Sequence, residues 1–91
     1  MPHTESAKKR VRQNVERHLR NKVVKSRLRT ETRKFERAVE RGDLDATRAQ
    51  LNVLTKLLHR ACAKGVIHAN AAARRQSRLQ TNFNKLAAAR R

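Results

Sequence analysis

Two internal glycines do nearly all the punctuating in this 91-residue chain: apart from Pro2 at its start, Gly42 and Gly65 are the only residues that break a helix by their backbone chemistry. The breaker-free runs on either side predict an all-α protein of three helices. The first is expected over 6–41, about 50 Å long at 1.5 Å per residue. Gly42 closes it in the left-handed conformation that glycine adopts without a steric penalty. Asp43 then stands where its carboxylate can accept the free amides of a new first turn, so a second helix is predicted over 43–63, with Lys64 suiting its dipole and Gly65 ending it. After the link Val66-Ile67 a third helix is predicted over 68–89.

The apolar pattern says how these helices meet. In the second, Leu44, Thr47, Leu51, Leu54, Leu58 and Ala61 follow alternating steps of three and four, and Val53 and Leu57 widen the stripe. Leu28, Phe35 and Val39 from the first helix, with Ile67, Ala72, Leu79, Phe83 and Leu86 around the third, supply opposing faces for an antiparallel three-helix bundle. Cys62 is expected to be a small buried hydrophobe. Residues 6–25 do not fit the bundle, because their basic side chains point around almost the whole cylinder and leave only a thin line of Val11, Val15 and Leu19. The N-terminal half of the long first helix should therefore project beyond the bundle, the whole of 1–91 making a single domain. With Phe35 and Phe83 the only aromatics and a mean hydropathy of -0.91, that domain has little apolar area to bury.

Charge points to the partner. All seven acidic residues lie at or before Asp45, while 24 Lys and Arg run from end to end, giving a net charge of +17. Solubility needs only about 2–8 charges on a small domain, so the excess calls for a polyanion. The densest stretch holds Lys8, Lys9, Arg10, Arg12, Arg17, Arg20, Lys22, Lys25, Arg27 and Arg29 against the single acid Glu16. Ser6, Asn14, Asn21, Ser26 and Thr30 are interleaved as donors to phosphate or ribose. Without Trp or Tyr there is no platform for stacking single-stranded bases, so contact must be through phosphates and shape. A helix charged all round suits a crevice in folded RNA. Histone-like binding of DNA through its phosphates is the alternative, and an acidic protein partner is a third reading.

Other classes find no support. No apolar run approaches the roughly 20 residues that span a bilayer, and no apolar segment follows the N-terminal charges as in a secretory signal. The first 29 residues imitate an organellar transit peptide but are poor in Ser. Glu36 and Glu40 stand one turn apart among Arg33, Arg37 and Arg41, where surface ion pairing is expected rather than acid–base chemistry. His59, Cys62 and His68 lack a fourth ligand for a metal. No Gly-rich phosphate loop and no nucleophile with a placed base is present, so neither catalysis nor a cofactor or small-molecule substrate is expected.

Three stretches together resemble the bacterial small-subunit ribosomal protein S-twenty family. They are Ser6-Ala7-Lys8-Lys9-Arg10, then Asn21 to Thr30 (NKVVKSRLRT) leading to the Glu-Arg-Gly-Asp turn at 40–43, and Ala63 to Leu79 (AKGVIHANAAARRQSRL), the most specific. The resemblance covers nearly the whole chain. It implies a three-helix protein that binds 16S ribosomal RNA directly and early in assembly and remains as a structural component of the small subunit, a monomer within the cytoplasmic ribosome. Carried over by motif, it marks Ser6, Lys8, Lys9, Arg10, Asn21, Lys22, Lys25, Ser26, Arg27 and Arg29 as facing RNA. On the later helices it marks Lys64, His68, Asn70, Arg74, Arg75 and Arg78. For His68 and Asn70 the alternative is capping of the third helix.

Overall fold

A computed structural model describes residues 4–89, which form α1 (Glu5–Arg41), α2 (Leu44–Ala63) and α3 (Ala69–Ala89) and contain no strand. Each boundary has a chemical cause. Thr4 is extended, and its Oγ1 accepts the Ala7 amide at 3.1 Å, which starts α1 with Glu5 in the favourable first turn. At the other end Gly42 has φ 70°, and the Asp43 amide reaches back five residues to the Ala38 carbonyl at 3.1 Å. The same device ends α2: Gly65 has φ 75° and the Val66 amide reaches the Ala61 carbonyl at 2.9 Å. Asp43 caps α2 through Oδ1, which accepts the Ala46 amide at 3.1 Å. At α3 the imidazole of His68 is itself the cap, its Nδ1 accepting the Asn70 amide at 3.1 Å, so the helix begins one residue later, at Ala69.

α2 is the centre of the bundle. It folds back along the C-terminal half of α1, with Gln50 beside Glu31 and Lys64 beside Arg20 and Arg27, and α3 folds back along α2, with the Arg48 guanidinium 5.4 Å above the Phe83 ring. α1 and α3 barely touch each other. The core consists of Leu28 and Phe35 from α1, Leu51, Leu54, Leu58 and Ala61 from α2, Val66 from the link, and Leu79 and Phe83 from α3. Thr47 is fully buried yet satisfied, because its hydroxyl donates to the Asp43 carbonyl at 2.6 Å.

The edges of the stripe differ from the sequence expectation. At 100° per residue, the buried residues of α2 lie within about 60° of Leu54, whereas Val53 is about 100° and Cys62 about 80° away. Val53 is accordingly exposed and Cys62 half-buried rather than buried. Val39, Ile67 and Leu86 are also half-buried; Val39 and Ile67 pack on the periphery, and Ala38 takes the interior place next to Val39.

One polar link ties α1 to α2. Gln50 Nε2 donates to the Glu31 carbonyl at 3.0 Å and to the Glu31 carboxylate, which also accepts from Lys34 Nζ at 3.3 Å. The Gln50 hydrogen bond, ahead of Lys34 and Arg27, holds the Glu31 carboxyl below its ordinary range. Among the described residues, none of α1 from Glu5 to Arg20 is buried. The molecule is therefore drawn out to 65 × 21 × 16 Å, with a radius of gyration of 17.8 Å against about 12 Å for a compact chain of this length.

Two consequences are measurable. Leu54→Ala should cost about 2–5 kcal/mol in chemical denaturation, because it leaves a cavity where all three helices meet. Val15→Ala on the free arm should change stability by less than about 0.5 kcal/mol. For Glu31, a carboxyl lowered in the folded state stabilises the fold above its ordinary pKa of about 4.3 and loses that contribution as pH falls through the lower folded value. The gap in melting temperature between the parent chain and Glu31→Gln should therefore close between neutral pH and about pH 3; a gap that stays constant would contradict the link.

Candidate polyanion-binding surface

The arm is helical without tertiary support. Residues 5–20 contain no buried side chain, and Val11, Val15 and Leu19 are each about half exposed. What keeps the segment helical is local: the Thr4 cap, the absence of a breaker, and an abundance of Arg, Lys, Glu, Gln and Ala, which lose little in a helix. Lys9, Arg10, Arg12, Arg17 and Arg20 are all exposed, as are Lys22, Lys25, Ser26, Arg27 and Arg29 further along. The Ser6 hydroxyl lies 3.2 Å from that of Thr4 at the helix start.

The positive charge is almost entirely unneutralised. Lys8 lies 4.0 Å from Glu5 and Lys34 lies 3.3 Å from Glu31; no other Lys or Arg among the described residues has a carboxylate within 4.0 Å. The expected pairing of Glu36 and Glu40 with Arg33, Arg37 and Arg41 is therefore absent. On an exposed helix face such pairs gain about 0–1 kcal/mol against the entropy of two long side chains, and the groups stay in water instead.

Where α1 meets the bundle the cationic surface becomes concave. One cleft of about 440 Å³ sets Arg20 and Arg27 of α1 opposite Arg60 and Lys64 at the end of α2, over Val24 and Leu57. A second, of about 470 Å³, lies between α1 and α3 and is walled by Arg29 and Arg33 on one side and Arg75 and Arg78 on the other. Residues that the sequence treats as two patches thus share one trough. Arg74 does not join it, since its Nε donates to the Asn70 carbonyl at 3.4 Å along its own helix. His68 is engaged as the α3 cap, while Asn70 remains exposed. Asn21 is half-buried, and its Oδ1 is the one shielded side-chain polar atom among the described residues with no hydrogen-bond partner.

Arg33 and Arg60 were not among the expected contacts. A signal existed for each, four residues after Arg29 and four before Lys64, which puts each on its neighbour's face. The described residues contain no group of three His, Cys, Asp or Glu able to hold a metal, and no helix long and apolar enough to cross a membrane.

An elongated helical protein whose cations are left free along an arm and in two clefts presents the kind of electrostatic surface that attracts polyanions. The chain belongs to the ribosomal protein S20 family, whose model matches residues 2–84. Curated relatives carry the name small ribosomal subunit protein bS20. That of Natranaerobius thermophilus is 47% identical over 87 residues, covering 96% of this chain and 99% of the relative. That of Corynebacterium jeikeium is also 47% identical over 87 residues, covering 96% and 100%. The protein of Aquifex aeolicus is 44% identical over 85 residues, covering 93% and 90%. The family is one of structural ribosomal proteins and not of enzymes.

Arm and bundle should be separable, with the cut placed before Asn21 because Val24 already packs on the core. A chain lacking residues 1–20 should keep α2, α3 and the rest of α1, read as a cooperative melt of the remaining helical signal. It should lose RNA affinity by several kcal/mol, since charge-assisted contacts are each worth about 1.5–3 kcal/mol. Undiminished affinity in the same salt would place the binding surface elsewhere.

Proposed function

We propose that this chain is a structural component of the small ribosomal subunit that binds 16S ribosomal RNA directly, as a monomer in the cytoplasmic ribosome, and stabilises the RNA fold during assembly. The observation that carries this reading is the free cationic surface of α1, a helix unbroken over 37 residues whose projecting first half carries basic side chains around nearly its whole cylinder. A duplex groove meets a helix on one face, whereas a crevice between RNA elements presents phosphates on several. Family membership supports the ribosomal setting, and the names of the relatives support the small subunit. Histone-like binding of DNA has no separate observation in its favour.

Competition at physiological salt tests the proposal. Folded 16S RNA should displace a labelled fragment of that RNA from the protein, while an equal nucleotide concentration of duplex DNA should not. Log affinity should fall linearly with log salt, with a slope of about -0.7 to -0.9 for each phosphate contacted. Duplex DNA competing as well as the RNA would remove the assignment.

A further inference from the structure

The trough between α1 and α3 has a composition that the arm lacks. Its walls are guanidinium on both sides, Arg29 and Arg33 four residues apart on α1, and Arg75 and Arg78 three apart on α3. Among the described residues, no carboxylate lies within 4.0 Å of any of the four. Its floor is aliphatic, made where Leu54, Leu58 and Leu79 meet Leu28. The trough exists because α2 packs on both neighbours while α1 and α3 scarcely meet, so it is a product of the tertiary fold and is present before any ligand arrives. Four like charges facing each other across such a gap repel, and an anionic strand laid between them relieves both walls together.

A fifth charged side chain shares the lining: Glu36, exposed and without an ion-pair partner among the described residues. A carboxylate is misplaced in a site for phosphate alone, which it repels. It is well placed to accept a hydrogen bond from a hydroxyl beside the phosphates, and in a nucleic-acid strand that group is the ribose 2′-hydroxyl, absent from DNA. The apolar floor suits the carbon face of the sugar.

We propose that the trough between α1 and α3 clamps one RNA strand, with Arg29, Arg33, Arg75 and Arg78 holding its phosphates and Glu36 accepting a ribose 2′-hydroxyl. The clamp rests on the RNA-binding reading above and adds to it the joining of Arg29 with Arg75 and Arg78 in one site, a role for Arg33, and a means of preferring RNA to DNA. An acidic peptide would also answer the arginines, but Glu36 would repel its carboxylates.

The experiment uses the full chain and fluorescence anisotropy with single-stranded RNA and DNA oligonucleotides of one sequence, across a salt series. Arg33→Ala and Arg78→Ala should each weaken RNA binding roughly tenfold or more, as expected for a charge-assisted contact. Each should also make the salt slope shallower by about 0.7, the value for one phosphate of a single strand. Arg33→Lys keeps the charge and should keep the slope, while binding less tightly for want of the bidentate fork. Glu36→Ala should tighten DNA binding and leave RNA binding equal or weaker, so that the preference for RNA narrows. All three side chains changed in these variants are exposed, and the helical signal checks that the fold survives. Unchanged affinity and slope for Arg33→Ala, equal effects of Glu36→Ala on RNA and DNA, or displacement of the RNA by polyglutamate at the same charge concentration would each overturn the clamp. If the parent chain binds 16S RNA while Arg33→Ala has no effect, the clamp alone fails; if the parent chain shows no salt-dependent RNA binding, the functional reading fails with it.

Discussion

The contact of α2 with its two neighbours is the constraint on which the rest of the molecule depends. Leu51, Leu54, Leu58 and Ala61 form an apolar face that receives partners on both sides, and in a chain with a net charge of +17 this burial is the main means of holding three helices together. Burial is worth roughly 25 cal/mol per Å² of apolar surface, and it must offset both chain entropy and the mutual repulsion of the helices. The arrangement keeps repulsion tolerable by extension. Six of the 24 Lys and Arg stand on the part of α1 that has left the bundle, and the clefts set others on opposing walls open to water.

The acids follow the same logic. Asp43 is used as a cap, Glu5 in a first turn, and Glu31 in the polar link between α1 and α2, where Gln50 supplies the donor. Of these three, only Glu5, 4.0 Å from Lys8, lies beside a cation of the arm. Glu36 and Glu40 stay unpaired among arginines, so the face they occupy is mixed in charge without being neutralised.

Much of this could be read from residue order, because it is set by local chemistry. Gly42 with Asp43, and Gly65 after Lys64, divide the helices by backbone preference alone, and the stripe through Leu51, Leu54 and Leu58 gives the phase of α2 directly. Its width was less legible: Val53 and Cys62 fall outside because the buried arc is fixed by how closely α1 and α3 approach, which no single-helix pattern contains. The same cause hid the clefts. Arg33 and Arg78 lie 45 positions apart and belong to one trough only because α1 and α3 diverge over α2. The capping role of His68 was legible as an alternative, since an imidazole nitrogen just ahead of a helix can accept the amide that Ser or Asp would otherwise take.

The unbroken run of α1 has a consequence for how insertions and deletions act on this molecule. With no Gly or Pro between Glu5 and Arg41, the arm has no hinge at which to absorb a change of phase. A single residue inserted ahead of Asn21 would turn every arm side chain by about 100° around the axis relative to the clefts, and move it about 1.5 Å outward. Seven residues would restore the orientation nearly completely while lengthening the arm by about 10 Å. The helix is thus a gauge of both angle and length, and an RNA crevice that fits it has to match the two together.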